Sequence, residues 1–202
     1  MSALLPSETE MKGFVLAVDL DGVVSDFIRD IRPHMAEWLN VPLKSLSEYP
    51  DYNLTQWGIN EAPGGYPAFH KFAVEQRGLF INSRPIFGAP QALRQLSDLG
   101  IHIRIVTARL CISGSHAEII KQTVDWLEKY GIPYWDICFM RDKCSVTADL
   151  YIDDSPSNIR KLRAMGKTAL VYETSVNAEV EKPGANNWPD MVRLVLKLKG
   201  EL

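Results

Sequence analysis

Two aspartates, Asp19 and Asp21, end the apolar run FVLAV and are followed at once by Gly22. Carboxylates this close raise each other's pKa and repel, unless a cation lies between them. One carboxylate can act as a nucleophile, and a second one two residues on can exchange a proton. The pair on its own is also compatible with an ordinary turn. Its chemistry therefore depends on what other groups the fold brings to the same place.

Three further polar groups follow strand-like runs. Thr107 ends IRIVT, Lys143 ends CFMRDK, and the acidic pair Asp153 and Asp154 ends LYIDD. Ligands of open α/β sheets bind outside the carboxyl ends of the strands, so these groups are expected to meet the first aspartates. Each could be structural when taken alone. Their occurrence together, each at a strand end, predicts a common site.

The residue types indicate the chemistry of that site. Several carboxylates at one point, with no His or Cys among them, favour a hard divalent cation, and we expect Mg²⁺. One ammonium group and one hydroxyl opposite the cation suit the remaining oxygens of a phosphoryl group. The sequence therefore predicts phosphoryl-transfer chemistry on a small-molecule phosphate ester.

The elements that must position these groups alternate along the chain. Five apolar runs predict strands: Phe14–Leu20, His102–Thr107, Ile137–Met140, Leu150–Ile152 and Thr168–Tyr172. Apolar periodicity, with glycine after the first three, predicts core helices at Ala89–Leu99, His116–Tyr130, Pro156–Met165 and Met191–Leu198. Strands buried on both faces and alternating with helices predict an α/β fold, a Rossmann-like doubly wound parallel sheet.

One stretch does not fit this alternation. Residues 28–84 contain helical patterns within Ser25–Asn40 and Pro67–Gln76, and a Pro-, Gly- and aromatic-rich segment between them. We expect a small helical cap here, inserted after the first strand. The core then consists of residues 1–27 and 85–202.

Composition limits the partners. The chain has 202 residues, a net charge of −3 and a pI of about 5.8, which argues against a nucleic-acid polymer or an anionic membrane. The three cysteines form no CxxC pair, and the N-terminus has no signal-peptide pattern, so we expect a reduced, cytoplasmic location. Exposed cap aromatics could line a substrate site or a homodimer surface, and both remain open.

DLDGVVSDF, VTAR, RDK and ADLYIDD resemble the four motifs of the haloacid dehalogenase superfamily, in the family's order. The resemblance covers residues 14 to about 160 and implies a phosphatase. Asp19 would attack phosphorus to form an aspartyl-phosphate, and Asp21 would protonate the leaving alcohol and then activate water. The superfamily's dehalogenases lack an acid at the place of Asp21, so its presence favours phosphate esters.

The same resemblance implies the ligand contacts. Thr107, Ala108 and Lys143 would bind the phosphoryl oxygens, and Lys143 would also offset the charge of Asp19. Mg²⁺ would be held by the Asp19 side chain, the Asp21 backbone carbonyl and one residue of the acidic pair. Asp154 is preferred over Asp153 as that ligand, and Asp153 would then lie next to the ligands or be bridged to the metal by water.

A closer resemblance is to the 5′(3′)-deoxyribonucleotidases, through VDLDGVVSDF, GAPQALRQL and RDKCSVTADLYIDDSP. It implies a nucleoside monophosphate as substrate, with Phe27 stacked on the base. Tyr52 and Trp57 are further candidates for substrate contact, although each of the three could instead be packing within the cap. The family has serine and proline where this chain has Ala108 and Arg109, so Arg109 could contact substrate or pair with an acid.

Three other functions remain as alternatives. Cap aromatics argue only weakly against a sugar phosphate, a phosphonate or a cofactor precursor as the substrate. A receiver-type phosphoacceptor domain places its acidic pair after the first strand and lacks an acid like Asp21. A nucleotide-binding protein without turnover is disfavoured by the complete set of motifs.

Overall fold

The computed structural model describes residues 13–201. The strands are β1 (Val15–Val18), β2 (His102–Thr107), β3 (Asp136–Phe139), β4 (Leu150–Asp153), β5 (Ala169–Tyr172) and β6 (Gly184–Ala185). The helices are α1 (Phe27–Trp38), α2 (Gly65–Arg77), α3 (Leu79–Asn82), α4 (Ala89–Asp98), α5 (His116–Lys129), α6 (Pro156–Ala164) and α7 (Trp188–Glu201). Short 3₁₀ turns at Arg109–Cys111 and Lys143–Ser145 follow β2 and β3.

The strands form one parallel sheet in the order β3-β2-β1-β4-β5-β6. β1 is central, with Val18 in register with Ile105 of β2 on one side and Ile152 of β4 on the other. The strand order reverses between β1 and β4. Such a reversal opens a crevice at the carboxyl ends of the strands, where open α/β sheets bind their ligands.

Helices cover both faces of the sheet. Leu16 and Val18 belong to an apolar cluster that includes residues of α4, α5 and α7. Ala17, between them, belongs to a separate cluster with Ile159 and Leu162 of α6. Successive side chains of a strand point to opposite faces, so β1 contributes to both layers and needs apolar residues throughout.

The predicted α/β class with a doubly wound parallel sheet is confirmed, and the five expected strands are all present. Two elements were not predicted. β6 has two residues, Gly184 and Ala185, which carry no strand pattern, and α3 is a single turn. α7 begins at Trp188, three residues before the expected Met191.

Residues 28–84 carry α2, α3 and most of α1, and their buried apolar residues, such as Met35, Phe69 and Phe80, form a cluster that also includes Ile119 of α5. The chain enters and leaves this segment side by side: Asp26 N–H donates to the carbonyl of Arg84, and Ile86 N–H donates to that of Val24. We call residues 28–84 the cap; their status as a separate domain stays a prediction. Within the described residues, no helix has the length and apolar character needed to cross a membrane.

Candidate active site

The carboxyl ends of β1, β2 and β4 bring the predicted polar groups together. Asp19 follows β1 directly, and its N–H donates to the carbonyl of Ile152 in β4. Thr107 is the last residue of β2, and Asp153 is the last residue of β4. Lys143 opens the 3₁₀ turn after β3. The sheet register therefore holds four polar side chains at one edge.

Lys143 joins two carboxylates. Its Nζ lies 2.8 Å from Asp19 Oδ2 and 2.7 Å from Asp153 Oδ2, and its side chain is 5% exposed. Burial alone would lower the pKa of Lys143, but the charges of Asp153 and Asp19 outweigh it and raise that pKa above its usual value. Lys143 is therefore an ammonium ion, and it holds one oxygen of Asp19 in place.

Asp153 and Asp154 are adjacent but differ in their partners. Asp153 accepts from Lys143 and from Ser155 N–H at 2.8 Å, and both its oxygens accept from Asn158 Nδ2 at 3.2 and 3.1 Å. Within residues 13–201, the structure shows no hydrogen bond to the carboxylate of Asp154. Asp153 is thus used in holding Lys143 and the start of α6, whereas Asp154 is available to a ligand.

The buried carboxylates carry more negative charge than Lys143 compensates. Asp19, Asp153 and Asp154 offer oxygens that all lie within 4.8 Å of one another. Burial raises the pKa of Asp19 to about 7, with Lys143 opposing the shift and the neighbouring aspartates adding to it. Burial, and then the charge of Asp19, raise the pKa of Asp154 well above its usual range. An oxygen-only set of this charge fits a divalent cation such as Mg²⁺.

Gly22 shapes the same cluster. It has a φ of +84°, which side chains rarely adopt, and a Cβ at this position would lie 2.1 Å from Asp154 Oδ2. The glycine after the aspartates is thus required both by the turn and by the close approach of a candidate ligand of the cation.

Asp21 is paired with Arg109. The guanidinium donates from Nε to Asp21 Oδ2 at 2.9 Å and from an Nη to Oδ1 at 2.6 Å. A further Nη donates to Thr123 Oγ1 at 3.2 Å, and the guanidinium carbon lies 4.0 Å from the centre of the Phe80 ring. Arg109 is 1% exposed. Of the two roles left open by the sequence, the geometry places Arg109 against an acid.

A cavity of about 630 Å³ lies between this edge of the sheet and the cap. Its walls include most of the predicted site residues: Asp19, Asp21, Phe27, Tyr52, Thr107, Ala108, Arg109, Lys143 and Asp154. Asp153 lies behind the wall, bonded to Lys143. The cavity is large enough for a small organic phosphate ester.

Trp57 is not brought to this cavity. It is 3% exposed within the apolar cluster of the cap, and its Nε1–H donates to the carbonyl of Ser47 at 3.1 Å. Trp57 was a candidate as one of the aromatic residues of the cap, but its ring packs among the cap's buried apolar residues instead. The structure therefore removes Trp57 from the candidate substrate contacts.

Several residues of the cavity wall were not singled out from the sequence, among them Tyr66 and His70 of α2 and Asn158 of α6. Tyr66 and His70 lie one helical turn apart, on the face of α2 that turns to the core. The periodicity of α2 was visible, but nothing in the sequence indicated which of its faces meets the sheet edge. Asn158 is three residues into α6, where it was expected only as a helix residue.

The fold, the order of the polar groups and the cap together define a phosphatase of the haloacid dehalogenase superfamily. A predicted phosphatase from Clostridium acetobutylicum has the same fold, with a TM-score of 0.63 at 14% identity over 92% of this chain and 99% of that one. The family model described as 5′ nucleotidase, deoxy (Pyrimidine), cytosolic type C protein matches residues 13–200. The chain belongs to this family.

Two curated relatives agree with that assignment. A Chlorobaculum tepidum protein named "Putative 5′(3′)-deoxyribonucleotidase" is 44% identical over 181 residues, which cover 90% of this chain and 89% of that protein. The human 5′(3′)-deoxyribonucleotidase, cytosolic type, is 29% identical over 154 residues, which cover 68% of each chain.

Proposed function

We propose that this protein hydrolyses nucleoside monophosphates, with deoxyribonucleotides as the preferred class, through a phosphorylated Asp19. The observation that carries the proposal is the placement of Asp19. Lys143 holds its Oδ2, and the residue lines a cavity whose wall includes the aromatic ring of Phe27. Membership in the type C 5′-nucleotidase family and the names of the relatives support a nucleotide as the substrate.

The chain's own groups suffice to describe both half-reactions. An oxygen of Asp19 attacks phosphorus, and the bond from phosphorus to the ester oxygen breaks. Asp21, in its protonated form with one oxygen released from Arg109, gives its proton to the leaving alcohol. Asp21 then takes a proton from water as that water attacks the aspartyl-phosphate, which releases inorganic phosphate and restores Asp19. A general acid or base contributes about 10²–10⁴-fold to such a reaction. Most of the remaining acceleration must come from positioning and charge.

Binding of the phosphoryl group falls to Thr107, the backbone at Ala108, and Lys143, all of which line the cavity. The positive charge of Lys143 also reduces the repulsion between the Asp19 carboxylate and the phosphoryl oxygens as they approach each other. Asp153 holds Lys143 from behind. Substitution of Asp153 is therefore expected to weaken phosphoryl binding by displacing Lys143.

Mg²⁺ fits the cluster of carboxylates, and we propose Asp19, Asp154 and the backbone carbonyl of Asp21 as its ligands. When bound, it supplies positive charge that stabilises the phosphoryl oxygens. Burial, and after it the charge of the neighbouring aspartates, raises the pKa of both Asp19 and Asp154, and a bound cation would stabilise their ionised forms.

Phe27 and Tyr52 are the aromatic candidates for base contact, since both line the cavity and Tyr52 is 45% exposed. Stacking of a base on an aromatic ring contributes about 1–3 kcal/mol, enough to favour a nucleotide over a bare sugar phosphate. A cytoplasmic location is also proposed, in keeping with the three cysteines, none of which is in a disulfide. A homodimer stays a prediction.

The test is phosphate release from deoxy- and ribonucleoside 5′- and 3′-monophosphates and from common sugar phosphates, with Mg²⁺ and with chelator. We expect chelator-sensitive hydrolysis that prefers nucleotides. Hydrolysis of sugar phosphates alone would refute the substrate class and keep the chemistry.

Asp19→Asn tests the nucleophile, with Asp125→Asn on the surface of α5 as the matched control. Asp125 is 42% exposed and pairs with Lys121, so its variant should keep full activity. Asp19→Asn should retain the fold by thermal unfolding and lose all turnover. In the wild type, acid quenching during turnover should yield an Asp19 peptide that carries a phosphoryl group; an active Asp19→Asn enzyme would remove this residue from the mechanism.

A further inference from the structure

His70 lies on α2 of the cap and is 0% exposed. Its Nδ1 is 2.8 Å from Ser113 Oγ, in the segment after β2. The ring lies beside two aromatic rings, with centroid distances of 5.9 Å to Tyr66 and 5.6 Å to Phe80. One edge of the imidazole is thus used by a hydroxyl, and two neighbours on the cap hold the ring in place.

The other nitrogen of His70, Nε2, has no hydrogen-bond partner within residues 13–201. Among the described residues, Nε2 is a buried side-chain atom without a hydrogen bond. A buried polar atom left unpaired costs about 1–3 kcal/mol, and the large majority of such atoms in native proteins are paired. Because His70 lines the cavity, a bound molecule can supply the missing partner there.

The position of His70 indicates which part of a substrate it would meet. His70 and Arg109 pack on the same ring, Phe80, with a centroid distance of 5.6 Å for His70 and 4.0 Å from the ring centre to the guanidinium carbon of Arg109. Arg109 in turn pairs with Asp21, so His70 lies near the Arg109–Asp21 pair. Asp21 faces the leaving alcohol in the proposed mechanism, whereas Lys143 faces the phosphoryl oxygens. His70 therefore lies on the leaving-group side of the cavity.

The imidazole is neutral in this environment. Burial lowers the pKa of His70 to about 4, with Asp21 opposing the shift and Arg109 adding to it. A neutral imidazole has one N–H donor and one acceptor nitrogen, which suits a neutral hydroxyl or amide better than an anionic phosphate.

We propose that His70 is a specificity-determining residue, whose Nε2 forms a hydrogen bond with a neutral polar group of the nucleoside that leaves. This inference rests on the proposed nucleotidase function and deepens it. A site built to hydrogen-bond a substrate group discriminates strongly against analogues without that group, because the buried partner is then left unpaired. Phenyl phosphate is such an analogue, since its ring can stack but offers no hydrogen-bonding group.

Two substitutions of His70 test its two ring nitrogens one at a time. His70→Asn keeps a polar group near the place of Nδ1, within reach of Ser113, and leaves nothing at the place of Nε2. His70→Gln places its amide near Nε2 instead. The quantity to measure is the ratio of kcat/KM for deoxynucleoside monophosphates to kcat/KM for phenyl phosphate.

We expect His70→Asn to lower that ratio about 10–100-fold, the range of a lost hydrogen bond to a buried partner, and His70→Gln to recover at least half of the loss on a logarithmic scale. An unchanged ratio in His70→Asn, or equal losses in both variants, would overturn the proposal. Thermal unfolding of each variant establishes that the fold is retained.

A measurement on the wild type covers the case of an unstable variant. The ¹⁵N shift of His70 Nε2 should move when deoxythymidine or deoxyguanosine is added, and should not move with inorganic phosphate. No response to either nucleoside would overturn the assignment.

The proposed nucleotidase function and the proposed role of His70 can be refuted independently of each other. A wild-type enzyme that prefers sugar phosphates to nucleotides refutes the nucleotidase proposal. The role of His70 is then tested by the ratio of kcat/KM for the best sugar phosphate to kcat/KM for phenyl phosphate. If that ratio is unchanged in His70→Asn, the proposed role of His70 is refuted. An enzyme without activity on any ester refutes both.

Discussion

Arg109 holds both carboxylate oxygens of Asp21, at 2.9 Å from Nε and 2.6 Å from an Nη. The guanidinium is itself fixed, by Thr123 on one side and the Phe80 ring on the other. A two-point contact of this kind sets the plane of the carboxylate as well as its position. The proposed acid–base group is therefore oriented by a residue that takes the place of proline in the family's second motif.

The first prediction concerns this pair. Arg109→Met should lower kcat about 10–100-fold and change KM less than about threefold, because Asp21 loses its orientation while Lys143 still binds the phosphoryl group. Arg109→Lys should lie in between, since an ammonium cannot make the two-point contact. Steady-state kinetics on a deoxynucleoside monophosphate gives both constants.

Phenyl phosphate provides the control for Arg109. Phenolate leaves more readily than the alkoxide of a sugar, because phenols have a pKa near 10. It therefore needs less help from an acid, and the loss of kcat in Arg109→Met should be smaller with this substrate. A tenfold rise in KM with kcat retained would instead assign Arg109 to direct binding of the substrate.

The second prediction distinguishes Asp153 from Asp154. Asp154→Asn should raise the Mg²⁺ concentration for half-maximal activity at least tenfold and, without metal, should be at least as stable as the wild type, because a buried carboxylate without a hydrogen-bond partner is removed. Asp153→Asn should lose about 3–5 kcal/mol of unfolding free energy, because Lys143 is buried and Asp153 is one of its two partners.

Urea unfolding with and without Mg²⁺ measures both effects. The wild type should gain about 2.7 kcal/mol when Mg²⁺ is present at a hundred times its dissociation constant, and Asp154→Asn should gain much less. Equal metal-dependent gains in the wild type and Asp154→Asn would contradict the ligand assignment.

The sequence was sufficient for the sheet and for most of the candidate site. β1 is a continuous apolar run, β2 and β4 are largely apolar, and each has a polar group at its last residue or directly after it. Five of the six strands and the functional edge of the sheet could therefore be predicted. β6 could not, because Gly184 and Ala185 are a strand only through their pairing with β5. Asp19, Thr107, Lys143 and the acidic pair could be predicted because each stands at the end of a predicted strand, and the carboxyl ends of parallel strands lie at one edge of the sheet.

The side chains of the cap could not be assigned in the same way. Trp57 and Tyr52 lie five residues apart in one irregular segment, yet one lies in the cap's own core and the other lines the cavity. His70 belongs to the site because α2 packs on α5 and brings His70 to Ser113, in the segment after β2. That orientation is set by long-range packing, such as the bond from Gln122 Nε2 to the carbonyl of Val74, and leaves no local pattern.

The third prediction concerns Gly22. Gly22→Ala should reduce Mg²⁺-dependent activity at least tenfold, because its Cβ would lie 2.1 Å from Asp154 Oδ2 and displace that carboxylate. Gly100→Ala is the matched control, since Gly100 has a similar φ of +77° but a Cβ there would have nothing within 4 Å. Both variants should lose about 1–2 kcal/mol from backbone strain, and only Gly22→Ala should lose metal affinity. Equal activity in the two variants would contradict the role of the close contact.

The last prediction uses the pH dependence of stability to test the state of His70. In the unfolded chain a histidine has a pKa near 6.5, whereas the folded protein lowers the pKa of His70 to about 4. Between these values the unfolded state binds the extra proton, so stability is present above about pH 6.5 and is lost as the pH falls. The His70 contribution to this loss should reach about 3 kcal/mol at pH 4.

The difference between the wild type and His70→Asn isolates that contribution, because carboxylates that titrate over the same range are common to both proteins. Urea unfolding from pH 8 to pH 4 should show the wild type losing stability more steeply than the variant. His34→Asn serves as the matched control: burial also lowers the pKa of His34, but this ring is only partly buried, so the slope should change less. Parallel curves for the wild type and His70→Asn would mean that His70 accepts a proton in the folded state near its ordinary pKa, and the neutral imidazole assigned to the leaving-group side of the cavity would be wrong.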